Sequence, residues 1–186
     1  MTTTAPPLRA PMISPDVPTD MTTSATTFAR IGLAATCDGL SLIQAHELVK
    51  ILTVLRARGA TELHHGVCVG GDDQANTLAH EAGYRTVGHP LVDGRYCDHT
   101  DCDEYRRPLH RGGFDDVIIR ETDLLLAFPR TDGEQYVNSN VWLTIRRACK
   151  RGMPRLVVGP EGAVLINEGI DAVLPPAHES RVRSSL

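Results

Sequence analysis

Five consecutive apolar residues, Leu124-Leu125-Leu126-Ala127-Phe128, follow Asp123 and stop at Pro129. A strand wetted on one face alternates apolar and polar side chains, whereas an unbroken run needs apolar cover on both faces. Parallel strands joined by helices packed on each side of the sheet meet that condition. The rest of the chain keeps the same pattern. Residues 28–35 form a short, mostly apolar strand, and Ser41 caps a helix reaching about residue 58, with Leu42, Ala45, Leu48, Val49 and Leu52 at helical spacing. Further strands are predicted over 62–69, 85–88 and 155–159, and helices over 72–82, 114–121 and from Trp142 to near Gly152. The expectation is one doubly wound α/β domain with about five mainly parallel strands and helices on both faces.

A length of 186 residues suits one such domain. The organisation expected is a disordered Thr- and Pro-rich arm over 1–26, the domain over 27–162, and a C-terminal extension over 163–186 with a small strand near 171–174. A net charge of −4 argues against a duplex nucleic acid partner. Arg146, Arg147, Lys150 and Arg151 read as a solvated helix face whose cations suit a helix C-terminus. No apolar run approaches the ~18 residues of a membrane span, so no membrane partner is expected. Five scattered cysteines without a basic-then-apolar leader read as reduced thiols of a cytoplasmic protein.

Two strand-to-helix loops carry the functional signal. The first runs from Glu62 through His64-His65-Gly66 and Gly70-Gly71-Asp72 to Asn76, and the second is Asn138-Ser139-Asn140-Val141-Trp142-Leu143-Thr144 onward. Such loops lie at the carboxyl ends of the strands, where open α/β sheets bind ligands. Each helix start offers unpaired N–H groups suited to phosphate or carboxylate, so two together suggest a nucleotide-sized pocket. Gly66, Gly70 and Gly71 permit close backbone approach to a ligand or simply a tight turn. His65 donates to a phosphate, stacks on a ring, or is merely packed. Asp72 binds ribose hydroxyls or caps its helix. Ser139 is an ordinary N-cap as well as a ligand candidate.

The series His64-His65-Gly66 to Asp72, His89-Pro90, and Trp142-Leu143-Thr144-Ile145-Arg146 resembles the YspA-like branch of the SLOG superfamily over roughly residues 28–160. That superfamily has Rossmann-like domains related to the LOG phosphoribohydrolases and the DprA proteins. The resemblance implies a nucleotide or nucleotide-derived ligand, with contacts from Thr36, Cys37, His65, Gly66, Gly70, Gly71, Asp72, His89, Ser139, Asn140, Trp142 and Thr144. It also exposes departures. Ala35-Thr36-Cys37 stands where the family shows a Gly-Thr-Arg run, although Gly39 and Gln44 fall in matching places. Asn140 and Val141 replace a glycine and a threonine, and Val67 stands where an aspartate is usual. Asp38 adds a negative charge beside the missing arginine.

In the hydrolase relatives a glutamate acts on the glycosidic bond; here the corresponding residue is Thr144. No catalytic residue is therefore assigned. The expected function is sensing or sequestering a nucleotide-derived small molecule without efficient catalysis. The alternatives are a nucleotide N-glycosidase with Asp72 as base, and a structural or partner-binding descendant of the fold. No cofactor is expected, and a homo-oligomer stays open. Cys97, His99 and Cys102 supply three soft ligands, one short of a structural zinc site unless Cys68, His89 or His110 joins them across space. Free side chains are the expectation there.

Overall fold

The computed structural model describes residues 27–92, 100–133 and 139–170. Its elements in chain order are β1 (Arg30–Ala35), α1 (Leu42–Ala57), β2 (Glu62–His65), α2 (Gly71–Glu81), β3 (Arg85–Gly88), β4 (Glu104–Tyr105), α3 (Arg111–Glu121), β5 (Leu124–Phe128), α4 (Asn140–Lys150), β6 (Arg155–Val158) and β7 (Val164–Glu168). One sheet of seven strands runs in the order β4-β3-β2-β1-β5-β6-β7. All neighbours pair in parallel except β6 and β7.

The five apolar residues of β5 are all buried, as the unbroken run requires. Leu124, Leu126 and Phe128 join a core with Leu33 of β1, Leu48 and Leu52 of α1, and Ala75 of α2. Leu125 and Ala127 point the other way, into a second core with Ala34, Ile119, Trp142 and Ile145. Helices α1 and α2 thus cover one face, and α3 and α4 the other. Chain direction explains the division. The path β1 to β2 to β3 steps one way and β5 to β6 steps back, so right-handed crossovers place their helices on opposite faces.

Helix α1 starts in a reciprocal cap. Ser41 Oγ accepts from the Gln44 N–H at 3.0 Å, and Gln44 Oε1 accepts from the Ser41 N–H at 3.1 Å. Gln44 is buried, and its Nε2 donates to the carbonyls of Pro129 and Val158 at 2.9 and 3.1 Å. One side chain therefore ties the start of α1 to the ends of β5 and β6.

The class matches the expectation, but the strand count does not: seven strands stand where about five were expected. The two additions have weak patterns. β4 is two residues inside the long irregular stretch, and β7 is a half-exposed edge strand at the start of what was read as an extension. β2 stops at His65 rather than 69, because Val67 turns into left-handed backbone (φ 58°). The arm over 1–26 and the strand expected near 171–174 lie outside the described residues. No helix among the described residues is long and apolar enough to cross a membrane.

Candidate functional site

A cavity of about 210 Å³ lies where the order of the sheet reverses, beside the end of β1. β1 lines it with Leu33, Ala34 and Ala35, followed by Cys37 in the next loop. The loop after β2 and the start of α2 add Cys68 and Asp72; α3 adds Asp115; α4 adds Asn140, Val141, Leu143, Thr144 and Arg147. Leu91 completes the wall. The loops beginning at His65 and at Ser139 therefore meet at one crevice, at the position open α/β sheets use for ligands.

The helix α4 side is the polar one. The Trp142 N–H reaches Ser139 Oγ at 3.5 Å, and the Leu143 N–H donates to the Ser139 carbonyl at 3.0 Å. A helix cannot pair its first N–H groups internally. Asn140 and Val141, whose N–H groups precede those two, border the cavity. One and two turns further, Thr144 and Arg147 converge on Asp115. Thr144 Oγ1 donates to Asp115 Oδ1 at 2.9 Å and lies 3.0 Å from the Asn140 carbonyl, while Arg147 Nη1 donates to Asp115 Oδ2 at 2.8 Å. Asp115 therefore clamps α3 to α4 and leaves the buried Thr144 oriented at the cavity wall.

The opposite wall holds a buried acid. Asp72 Oδ2 accepts the N–H groups of Gly66 at 3.0 Å and Cys68 at 3.2 Å, closing the loop onto the first turn of α2. Burial nevertheless pushes its carboxyl up to about 7, outweighing those two bonds. A carboxyl that exchanges its proton near neutrality, at a cavity wall, is a feature of functional sites.

Gly70 and Gly71 sit where the backbone of a neighbouring loop passes close. A Cβ on Gly70 would lie 2.3 Å from the Cys37 carbonyl oxygen, and one on Gly71 would lie 2.6 Å from Ala35 Cβ. The glycines let the β2–α2 loop nest against the β1–α1 loop, and the Gly71 N–H donates to the Thr36 carbonyl at 2.8 Å. Thr36 Oγ1 caps its own turn by accepting from the Asp38 N–H at 3.0 Å.

His65 is wholly buried. Its Nδ1 accepts from the Val67 N–H at 3.3 Å, which makes Nε2 the protonated nitrogen, and Nε2 donates to Asn76 Oδ1 at 3.1 Å. Burial lowers its pKa to about 4, so it is neutral. Cys102 Sγ lies 3.5 Å from the same Nε2, and burial pushes that thiol up to about 11. Cys97 and His99 lie outside the described residues.

Of the expected contacts, Cys37, Asp72, Asn140 and Thr144 line the cavity. Thr36, Gly66, Gly70, Gly71 and Ser139 shape the loops behind it. Trp142 packs into the α3–α4 core, and its indole N–H meets no acceptor among the described residues. His89 pairs with His64 at 3.0 Å. Asp115 and Arg147 were missed. Their signal was present: Asn140, Thr144 and Arg147 sit at i, i+4 and i+7 on one helix face, so Arg147 belongs with the site rather than the solvated face. Arg130 was also unread. It donates to Asp38 at 2.7 Å, giving the β1–α1 loop a cation from the β5–α4 connection.

No protein-family model and no curated protein matches this sequence. Among solved structures, the molybdenum cofactor binding protein from the phototrophic bacterium Rippkaea orientalis superposes with a TM-score of 0.54 at 14% identity, over 70% of this chain and 76% of that one. The molybdenum cofactor carrier protein of Chlamydomonas reinhardtii gives a TM-score of 0.51 at 18% identity, over 69% and 75%. What they share with this chain is the fold. That agrees with the Rossmann-like domain implied by the resemblance and does not reach to its YspA-like branch.

Proposed function

We propose that the cavity between β1 and α4 binds a nucleotide-derived small molecule and holds it without efficient turnover, as a sensor or a sequestering protein of the YspA-like kind. The observation that supports this most is the convergence of two loop–helix junctions on one cavity at the reversal point of the sheet. There the start of α4 and the hydroxyl of Thr144 face an apolar floor of Leu33, Ala34 and Ala35. A few polar groups on an apolar wall suit a small ligand with a charged or hydroxylated end. The volume, about 210 Å³, is below the ~300 Å³ of most ligand pockets, so it suits a base or a ribose phosphate better than a dinucleotide.

The buried carboxyl of Asp72 favours a second reading, a nucleotide N-glycosidase with Asp72 as proton carrier. Against it, Thr144 stands where the hydrolases place a glutamate, and losing one preorganised charge typically costs ~10²–10³ in rate.

The test begins with the purified protein. Excess absorbance at 260 nm, with mass spectrometry of the released compound, identifies a retained ligand. Thermal shift with nucleoside monophosphates and ribose phosphates follows, with molybdenum cofactor, named for both structural neighbours, in the same panel. Absence of any stabilisation, together with no co-purified compound, would overturn the binding reading. Multiple turnovers to free base, abolished in Asp72→Asn, would establish the glycosidase instead.

A further inference from the structure

The face of β2 and β3 opposite α2 is unusual for a parallel sheet. Apolar residues ordinarily fill such a face, yet here His64 and His89 are almost wholly buried. Around them Glu62 pairs with Arg85 at 2.8 Å, Arg85 and Arg106 both pair with Glu104, and Arg106 Nε donates to Glu121 Oε2 at 3.0 Å. Among the described residues, these pairs set three carboxylates against two guanidinium groups beside the two imidazoles.

The imidazoles are placed as a pair of donors. His64 Nδ1 and His89 Nε2 are 3.0 Å apart, and one ligand atom each from His64, His89 and Glu121 lies within 4.8 Å of the other two. Two bare nitrogens cannot face each other at that distance; either a proton or a cation lies between them. Glu62 Oε2 lies 3.3 Å from His64 Nε2, so Nε2–H donates to the carboxylate and Nδ1 presents its lone pair inward. In the metal-free chain the proton between the rings then belongs to His89 Nε2. That leaves His89 Nδ1 bare and without a partner among the described residues.

We infer that His64, His89 and Glu121 form a binding site for a first-row divalent transition metal ion, separate from the cavity at the reversal point. Two imidazoles and one carboxylate are a donor set that zinc and its neighbours accept. With metal–nitrogen bonds of about 2.05 Å, a nitrogen separation of 3.0 Å subtends roughly 94° at the metal, the angle between adjacent ligands of a five- or six-coordinate ion. Only three protein ligands then leave positions for water or a further ligand. When the ion enters, the His89 proton moves from Nε2 to Nδ1, and the ring stays neutral. The surroundings are those of outer-shell support: Glu62 holds the far nitrogen of His64, and Arg106 Nε donates to Oε2 of Glu121.

The experiment titrates the chelator-stripped full chain with Co²⁺ and then Zn²⁺, reading visible d–d absorption, its loss on exchange, and stoichiometry by elemental analysis. One ion per chain is expected, with affinity at least tenfold weaker in His89→Gln and in Glu121→Gln. Glu62→Gln should weaken it about tenfold, as loss of an outer-shell partner does. Cys97→Ser with Cys102→Ser should leave it unchanged. Glu121 is half-exposed at a helix end, so its variant keeps the test decisive if His89→Gln fails to fold. Three results would overturn the site: no stoichiometric binding at micromolar protein, binding indifferent to both ligand variants, or binding lost in the cysteine double variant. The first of these leaves the pair joined by a proton alone.

Discussion

Replacing Asp72 by asparagine separates the charge of this residue from its hydrogen bonding. The amide oxygen can still accept the Gly66 and Cys68 N–H groups, while the ionisable proton is gone. Burial raises the folded carboxyl from its ordinary 3.8 to about 7. Between those values the folded chain keeps a proton that the unfolded chain has released. Stability therefore falls as pH rises through that window, and the loss is complete above about pH 7. At about 1.4 kcal/mol per tenfold change in proton affinity, the full effect is about 4 kcal/mol. Relaxation of the loop and entry of water on ionisation reduce it to roughly 1–3 kcal/mol. Other acids act in the opposite sense, for example Asp123, lowered by the Arg30 N–H and guanidinium bonds against its burial. The quantity to measure is accordingly the difference between the two proteins. Urea unfolding at several pH values from 4 to 8.5 should give nearly equal stabilities at the acid end and an asparagine variant more stable by roughly 1–3 kcal/mol above pH 7. An asparagine variant less stable than the parent at pH 8 would refute the reasoning. It would show that the two N–H bonds and the helix start hold Asp72 as a carboxylate.

Gly71→Ala places a methyl group 2.6 Å from Ala35 Cβ, and urea unfolding should show a loss of about 1–3 kcal/mol from overpacking. Thr144→Val removes the donor to Asp115 inside the protein; a loss of about 1–2 kcal/mol is expected in the same assay, with weaker ligand stabilisation in thermal shift. Val67→Gly loses a buried side chain but relieves left-handed backbone in a β-branched residue, a conformation costing ~1–2 kcal/mol, so its net cost should be about 1 kcal/mol or less. Val157→Ala, buried with no such strain, should cost ~2 kcal/mol.

The fold was legible wherever one pattern had one cause. The β5 run could only be a doubly covered strand, and Ser41 announced the start of α1. The added strands were not legible because their burial is slight. β4 contributes two residues, and β7 is an edge whose side chains are mostly half-exposed or exposed, so neither needs a hydrophobic signature. The early end of β2 was hidden for another reason. A valine gives no local signal for positive φ, and Val67 takes it only because Gly66, Cys68 and Asp72 close the loop around it.

For the candidate site, residue type misled and helix phase informed. Gly70 and Gly71, read as permitting either a ligand's approach or a tight turn, make room for the neighbouring β1–α1 loop, a role set by what lies opposite their missing Cβ and so invisible along the chain. His65 and His89 carry the reactive side chain most often enlisted in chemistry, yet each is buried and held neutral by its surroundings. Arg147 looked like one cation among four, but its place two turns from Asn140 turned it toward Asp115 and the cavity. Because Arg147 is held by Asp115, an anion entering the cavity must compete with that carboxylate for the guanidinium. The first N–H groups of α4 face no such competitor in the chain's own α-helical bonding. Ligand affinity should therefore depend more on the geometry of the Ser139–Val141 turn than on the charge at 147. Ser139→Ala, which removes the side-chain cap of the turn, should weaken ligand-dependent stabilisation more than Arg147→Gln, which removes the charge.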